Sequence, residues 1–368
     1  MDTKSRKWWL AGLAVALVGF LLYRSRGALH LSQFSGEKLW DAIRGANYAY
    51  LLLSLIAIYL CYALRAFRWQ RFQAHVGQAN FWNIYAMNLA GFAALFLLGR
   101  AAEPVRPILI SRKDKIPLAD TFGIYALERI LDASCAAVLA SIGLLVFESS
   151  GHLASEGTGR AFEKAARTAG TAFSLGAIVA IAGLIYLRFH GSSVLERRSQ
   201  AWLAAHGWRA VVARILLGFS RGVQTIRSWS DLLAAIFYSL AHWWLVVAIY
   251  WLVAHSFGGK IATLTFADAM LVLVCTMVGS AVQLPGVGGG AQALSIIAFT
   301  RLYGVQQETA VAAAMVLWVI TFAGCTLAGV PILFREGWSL GELRKMRAQE
   351  GEELNTELAV HQTGEIKE

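Results

Sequence analysis

Charge is scarce in this chain. Only 15% of its 368 residues are Asp, Glu, Lys or Arg, against 57% hydrophobic, and the mean hydropathy of +0.53 is too high for a soluble domain of this length. The composition describes a polytopic, all-α membrane protein. Cysteine is scarce as well. Cys61, Cys135, Cys275 and Cys325 all lie in apolar runs without CxxC spacing, so neither a disulfide framework nor a zinc site is indicated and the thiols read as buried. The eight histidines show no HExxH or paired spacing, which removes the common metal-enzyme signatures; no metal and no cofactor are expected. The net charge of +10 belongs to cytoplasmic loops under the positive-inside rule rather than to nucleic-acid binding.

What is present is a series of apolar runs. Lys4, Arg6 and Lys7 precede Trp8 to Tyr23, read as an uncleaved first span with its amino end in the cytoplasm. Asn47 to Leu64 forms a second run, followed at once by Arg65, Arg68 and Arg71, which read as a positively charged cytoplasmic flank or, alternatively, as lipid-phosphate contacts. Further spans are expected over Leu118 to Phe147, Ala169 to Leu187, Leu232 to Ala254 and Glu308 to Phe334. The arginine-rich segment 188–230 has apolar residues at helical spacing and reads as an amphipathic helix on the cytoplasmic leaflet or on the protein's own cytoplasmic face. A polar cytoplasmic tail occupies 335–368, leaving 1–334 as one integral membrane domain.

Two stretches break the pattern. Residues 98 to 132 hold Arg100, Glu103, Arg106, Glu128, Arg129 and Asp132, whose charges sum to zero between long apolar runs. Lipid exposure would cost about 2.5 to 3.5 kcal/mol for each centrally placed ionisable group, so these six must face one another, other helices or a watery cavity. Basic SRKDK follows only a few residues later, which predicts a hairpin that enters near Phe81 and returns on the cytoplasmic side near Pro117. Glu128 and Asp132 share a helix face at i, i+4, whereas Arg129 is offset by about 100° and is expected to seek the carboxylates of the preceding hairpin. The second stretch, QLPGVGGGAQ at Gln283 to Gln292, contains a Pro-Gly pair and three successive glycines. It predicts a second broken hairpin.

A shift of 189 residues aligns the two stretches, with Gly99 on Gly288, Glu103 on Gln292 and Arg129 on Trp318. Identities are few, but counting spans opens the first hairpin inward and the second outward, the relation of inverted repeats over about 47–147 and 232–334. These residues resemble the lysylphosphatidylglycerol synthase transmembrane-region family, a group of flippase-like membrane proteins. Gly99, Arg100, Glu103 and Arg106 with Glu128, Arg129 and Asp132 resemble its first signature, and Pro285, Gly286 and Gly288 its second. The resemblance spans most of 8–334 and lacks the soluble synthase half. It implies a bacterial inner-membrane protein that handles lipids with large polar heads. Two positions depart from the family pattern: Gln292 stands where a glutamate is usual and Trp318 where an arginine is frequent.

These readings make the chain a lipid translocator, with a head group held by Arg100, Glu103, Arg106, Glu128, Arg129, Asp132, Gly286, Gly288 and Gln292. Guanidiniums would fork onto phosphate oxygens, and carboxylates would balance them or meet a cationic head. The expected partners are membrane lipids with anionic, aminoacylated or polyprenyl-linked heads, and a homo-oligomer stays open. A non-catalytic accessory scaffold is the second hypothesis. A membrane transferase is the third, disfavoured because the chain shows no exposed DxD, metal cluster or nucleophile constellation.

Overall fold

A computed structural model describes residues 35–99, 102–149, 228–280, 283–284 and 288–337, with isolated positions between 171 and 183 and at 225–226. The expected first span at Trp8 to Tyr23, most of Ala169 to Leu187, nearly all of the arginine-rich segment and the tail after 337 lie outside them. The described chain is helical: α1 (Gly36–Arg44), α2 (Tyr48–Gln73), α3 (Phe81–Leu98), α4 (Val105–Asp114), α5 (Leu118–Ser149), α6 (Trp229–Ser256), α7 (Phe266–Gly279), α8 (Gly290–Ile297), α9 (Gln307–Trp318) and α10 (Thr326–Arg335). The strands β1 (Gln283–Leu284) and β2 (Gly288–Gly289) are two residues each and form one antiparallel bridge.

Side chains punctuate the chain where helices must begin. Asn47 and Asn80 accept backbone N–H groups at the starts of α2 and α3, and Ser228 with Asp231 and Thr265 with Asp268 form reciprocal capping boxes on α6 and α7. Four helical stretches are long and apolar enough to cross a bilayer: Tyr48–Gln73, Phe81–Leu98, Trp229–Ser256 and Gln307–Arg335. The 32-residue α5 is more charged but reaches about 48 Å at 1.5 Å per residue. Exposed Leu52, Ile56 and Leu60 on α2 and Leu233, Phe237 and Trp244 on α6 give these helices apolar outer faces suited to lipid.

Both hairpins are present, and they open at opposite ends. In the first, the amide of Asn83 near the start of α3 donates to the Asp114 carboxylate at the end of α4, 2.8 Å away. The chain therefore returns to the level at which it entered, even though α3 alone could cross. In the second, the Tyr303 hydroxyl beyond α8 donates to the carbonyl of Asp268 in the first turn of α7, 3.4 Å away. α2 and α6 run antiparallel side by side, because Asn47 N–H donates to Ser256 O at one end (2.7 Å) and His75 meets Asp231 at the other (3.1 Å). The first hairpin opens at the His75 end and the second beside Ser256, as inverted repeats require.

Each half packs its last helix onto the other half's hairpin. A Cβ on Gly329 of α10 would fall 2.3 Å from the Leu89 carbonyl of α3, so only a glycine lets these backbones approach. Reciprocally, Gly143 of α5 lies against Met270 and Leu271 of α7. Between α9 and α10 the helix widens into a π turn, Val319–Ala323. The Tyr59 hydroxyl donates to the nearby Gly324 carbonyl at 2.9 Å, satisfying a backbone acceptor that lipid could not.

Opposed hairpins have a direct consequence for labelling. Lys115→Cys, at the mouth of the first hairpin, and Lys260→Cys, at the mouth of the second, will react with an impermeant maleimide from opposite faces of sealed vesicles. Reaction from the same face overturns the arrangement.

Candidate functional site

The inner face of α5 presents Glu128 and Asp132 one turn apart, about 15 Å along the helix from its start. Four guanidiniums close on them. Arg65 Nη1 lies 2.7 Å from Glu128 Oε1 and 3.0 Å from Asp132 Oδ2. Arg68 bridges the same pair, 2.9 Å from each. Arg106 forks onto Glu128 at 2.7 and 3.2 Å, and Arg129 Nη2 reaches Asp132 at 2.9 Å and Glu128 at 3.1 Å. Glu128 is 2% exposed, Arg68 1% and Arg106 4%, so the cluster is dry at its centre, while Arg129 keeps 39% of its side chain exposed at one edge.

The cluster joins five helices. Arg68 Nη1 donates to Ser239 Oγ of α6 (2.6 Å), Arg65 Nε to His242 Nε2 of α6 (3.2 Å), and Arg106 Nη1 to Asn88 Oδ1 of α3 (3.3 Å). Accepting at Nε2 makes the His242 imidazole neutral, with its hydrogen on Nδ1. Aromatic faces enclose the cations: the Arg106 guanidinium lies over Trp69, Phe92 and Tyr125 at 5.1 to 5.2 Å, and Arg129 lies over Tyr125 at 5.2 Å. The α3 backbone makes way for Arg106 at Gly91, where a Cβ would fall 2.5 Å from the arginine's own.

Beside the cluster lies a cavity of about 250 Å³. Arg65, His242 and Glu103 stand on its wall, and Tyr62, Phe92 and Trp243 supply much of its apolar surface. The second half closes the opposite side with Thr276, Met277 and Ser280 of α7 and with Thr321 and Phe322 of the π turn. The cavity therefore sits between the two hairpins. Glu103 also accepts a hydrogen bond from the Tyr125 hydroxyl at 3.1 Å and borders a smaller void with Arg106 and Arg129.

Of the residues singled out in the sequence, Arg106, Glu128, Arg129 and Asp132 come together in the cluster, and Glu103 adjoins it. Arg100 and Gly286 lie outside the described residues. Gly288 and Gln292 form part of the second hairpin's turn, where the Gln292 side chain accepts the Gly289 N–H, and no described contact joins them to the cluster. Trp318 packs against Phe96, ring centroids 5.4 Å apart.

Two expectations are corrected. Arg129 turns to Glu128 and Asp132 on its own helix instead of to the hairpin carboxylates, because the flexible guanidinium stem spans the 100° offset. Arg65 and Arg68, read as a positively charged cytoplasmic flank, are partners of the cluster, Arg68 buried and Arg65 nearly enclosed; only Arg71 of the three is exposed. A detectable signal existed: α2 stays apolar through Trp69 and Phe72, so arginines at i, i+3 within it belong to a buried face.

The family model for the lysylphosphatidylglycerol synthase TM region matches residues 8–329. The chain belongs to this family. It is also similar to a UPF0104 membrane protein of Methanothermobacter thermautotrophicus, 24% identical over 324 residues that cover 82% of this chain and 90% of the relative. Family membership agrees with a helical membrane protein, and both hairpins and the ion cluster fall inside the matched region.

The cluster predicts strong coupling between its members. Glu128→Gln removes an anion shared by four cations and will destabilise the protein by about 3–5 kcal/mol, as expected for breaking a buried pair. Adding Arg106→Gln should restore part of the lost melting temperature in detergent. Strict additivity of the two changes overturns the pairing.

Proposed function

We propose that this protein moves a lipid head group across the membrane without chemically altering it. The observation that carries the proposal is the cavity between the two hairpins. It is lined by apolar and aromatic side chains over most of its wall and by Arg65, Glu103 and His242 at one side. A head group crossing hydrocarbon must exchange its hydration for protein contacts, and a polar patch at the interface of opposed repeats supplies them near mid-membrane. The acyl tails would stay in the bilayer, beside the apolar outer faces of α2 and α6.

The cluster divides into two kinds of member on this reading. Arg68 and Arg106 are almost fully enclosed and hold helices together. Arg65, 10% exposed in its side chain, and Glu103 reach the cavity and meet the substrate. This division also defines the scaffold alternative, in which every charge serves only to lock helices; the enclosure of Arg68 and Arg106 favours it for those two residues alone.

Orientation follows from charge. At the mouth of the first hairpin, Arg71, Arg112, Lys113, Lys115 and Arg335 are exposed, and Lys113 bridges to Glu336 at 2.8 Å. The arginine-rich segment runs into Ser228 at this same end. At the opposite end, exposed Lys38, Arg44, Lys260 and Arg301 are partly offset by exposed Glu37 and Asp41, so the excess of positive charge is larger at the first mouth once the arginine-rich segment is counted with it. On this reading the first hairpin opens to the cytoplasm, and we extend the proposal to a bacterial-type inner membrane with both termini on that side.

Vesicle reconstitution tests the function. Wild-type protein should redistribute labelled phospholipid between leaflets, measured as head-group accessibility to an impermeant quencher over time. Arg65→Lys should slow redistribution at least tenfold while the melting temperature stays within a few degrees, because the charge remains and the fork is lost. If wild-type vesicles redistribute none of the anionic, aminoacylated or polyprenyl-linked lipids, the translocator reading falls and the scaffold leads.

A further inference from the structure

We infer that the cavity selects lipids whose head group carries a net negative charge, a phosphate ester with no compensating amine, over zwitterionic and aminoacylated cationic lipids. This rests on the reading of the cavity as a lipid site. The family description names a lysyl ester, which adds positive charge to the phosphate head; the electrostatics of this chain favour the opposite sign.

The charge balance comes first. Among the described residues Arg65, Arg68, Arg106 and Arg129 surround two carboxylates, Glu128 and Asp132, an excess of two positive charges within that set. Counting Glu103, which is bonded to Tyr125, still leaves one. A surplus cation at membrane depth is unfavourable until an anion arrives, and a ligand that supplies it binds the more tightly for that reason.

The position of the surplus comes second. Arg68 and Arg106 face inward, whereas Arg65 lies on the cavity wall. Among the described residues its partners engage Nε and Nη1 only, which leaves Nη2 to donate. His242, 5% exposed, stands next to it on the same wall, and its Nδ1 has no partner among the described residues. The neutral tautomer imposed by Arg65 makes that atom an N–H donor. The Arg65 Nη2 donor and its positive charge on this wall fit a phosphate oxygen, with the enclosed His242 N–H beside them.

The opposite wall supplies no competing attraction. Where the family pattern would place a glutamate, Gln292 is engaged with Gly289, and the second half faces the cavity with Thr276, Ser280 and Thr321 hydroxyls and apolar groups. A lysyl ammonium entering here would find Glu103 as its single described carboxylate on the wall. It would also sit beside an already cationic cluster.

The test is titration of the purified full-length protein in a neutral detergent with short-chain phosphatidylglycerol, phosphatidic acid, phosphatidylcholine, lysylphosphatidylglycerol and inorganic phosphate. The two anionic lipids should bind at least tenfold tighter than phosphatidylcholine or the lysyl lipid, and inorganic phosphate should compete only at far higher concentration. Arg65→Gln should abolish the preference, and the Glu103→Gln arm carries the test if that variant fails to fold. Glu103→Gln should raise affinity for phosphatidylglycerol several-fold, a gain that a structural role for Glu103 does not produce. Equal binding of anionic and lysyl lipids, or no gain from Glu103→Gln, overturns the inference. Inorganic phosphate binding as tightly as phosphatidylglycerol makes the ligand a soluble anion and overturns its lipid part. The vesicle experiment separates the two claims. Redistribution of every lipid at one rate keeps the translocator and removes the selectivity; anion-selective binding without redistribution does the reverse.

Discussion

A carboxylate placed about 15 Å along a membrane helix dictates what must surround it. Glu128 can stay ionised there only if cations come to it, and they come from α2, α4 and its own helix. Each arrival fixes a neighbour. Arg106 needs Gly91 to be small, Arg68 needs Ser239 on α6, and Arg65 needs an acceptor nitrogen on His242. A hydrophobic interface between these helices could slide; a set of forked ion pairs with defined directions cannot do so without exposing charge. The first hairpin is thus held at a set depth and rotation against the α2–α6 pair.

The two halves share an architecture and divide the chemistry. The first half carries the ions, whereas the second answers with the Thr276–Ser295 hydroxyl pair (2.7 Å) and a glycine-rich crossing in which a Cβ on Gly279 would meet the Gly290 carbonyl at 2.1 Å. The absence of charge at both Gln292 and Trp318 is self-consistent, since a charge at either alone would be unpaired. The cavity between them inherits one polar, cationic wall and one nearly neutral wall. That asymmetry is what gives a ligand a defined orientation within a pseudo-symmetric frame.

Much of the frame was legible in the sequence because apolar length and broken backbone are local signals. The spans at α2, α5 and α6, both hairpins and their opposed mouths follow from run lengths, from Gly99 and Pro117, and from the QLPGVGGG stretch. The cluster was legible only in part. Arg100, Glu103, Arg106, Glu128, Arg129 and Asp132 already sum to zero, which concealed the demand for cations from elsewhere, and Arg65 and Arg68 follow an apolar run as a solvated flank would. Their burial is decided by α6, which lies more than 160 residues away in sequence and packs over that face of α2. His242 was invisible for the same reason: a lone histidine in an apolar helix signals nothing until its neighbour is known.

The π turn in the last helix works as a change of phase. Buried residues before it fall at Ala310, Ala312, Ala313, Ala314 and Leu317, and the stripe through 310, 314 and 317 would carry on in a continuous α-helix to 321, 324, 328 and 331. Past the turn Gly324 still keeps to that stripe, and the buried set then runs through Cys325, Gly329 and Leu333, one to two residues late. The widened turn absorbs one surplus residue and rotates everything beyond it by about 100°. That rotation turns Gly329 onto α3 and leaves Pro331 facing outward. In the language of chain length, the last helix is two half-helices joined by a single-residue insertion. A deletion of one residue between 319 and 323 would be the smallest change able to restore a regular helix, and it would point a different stripe of side chains at the first hairpin.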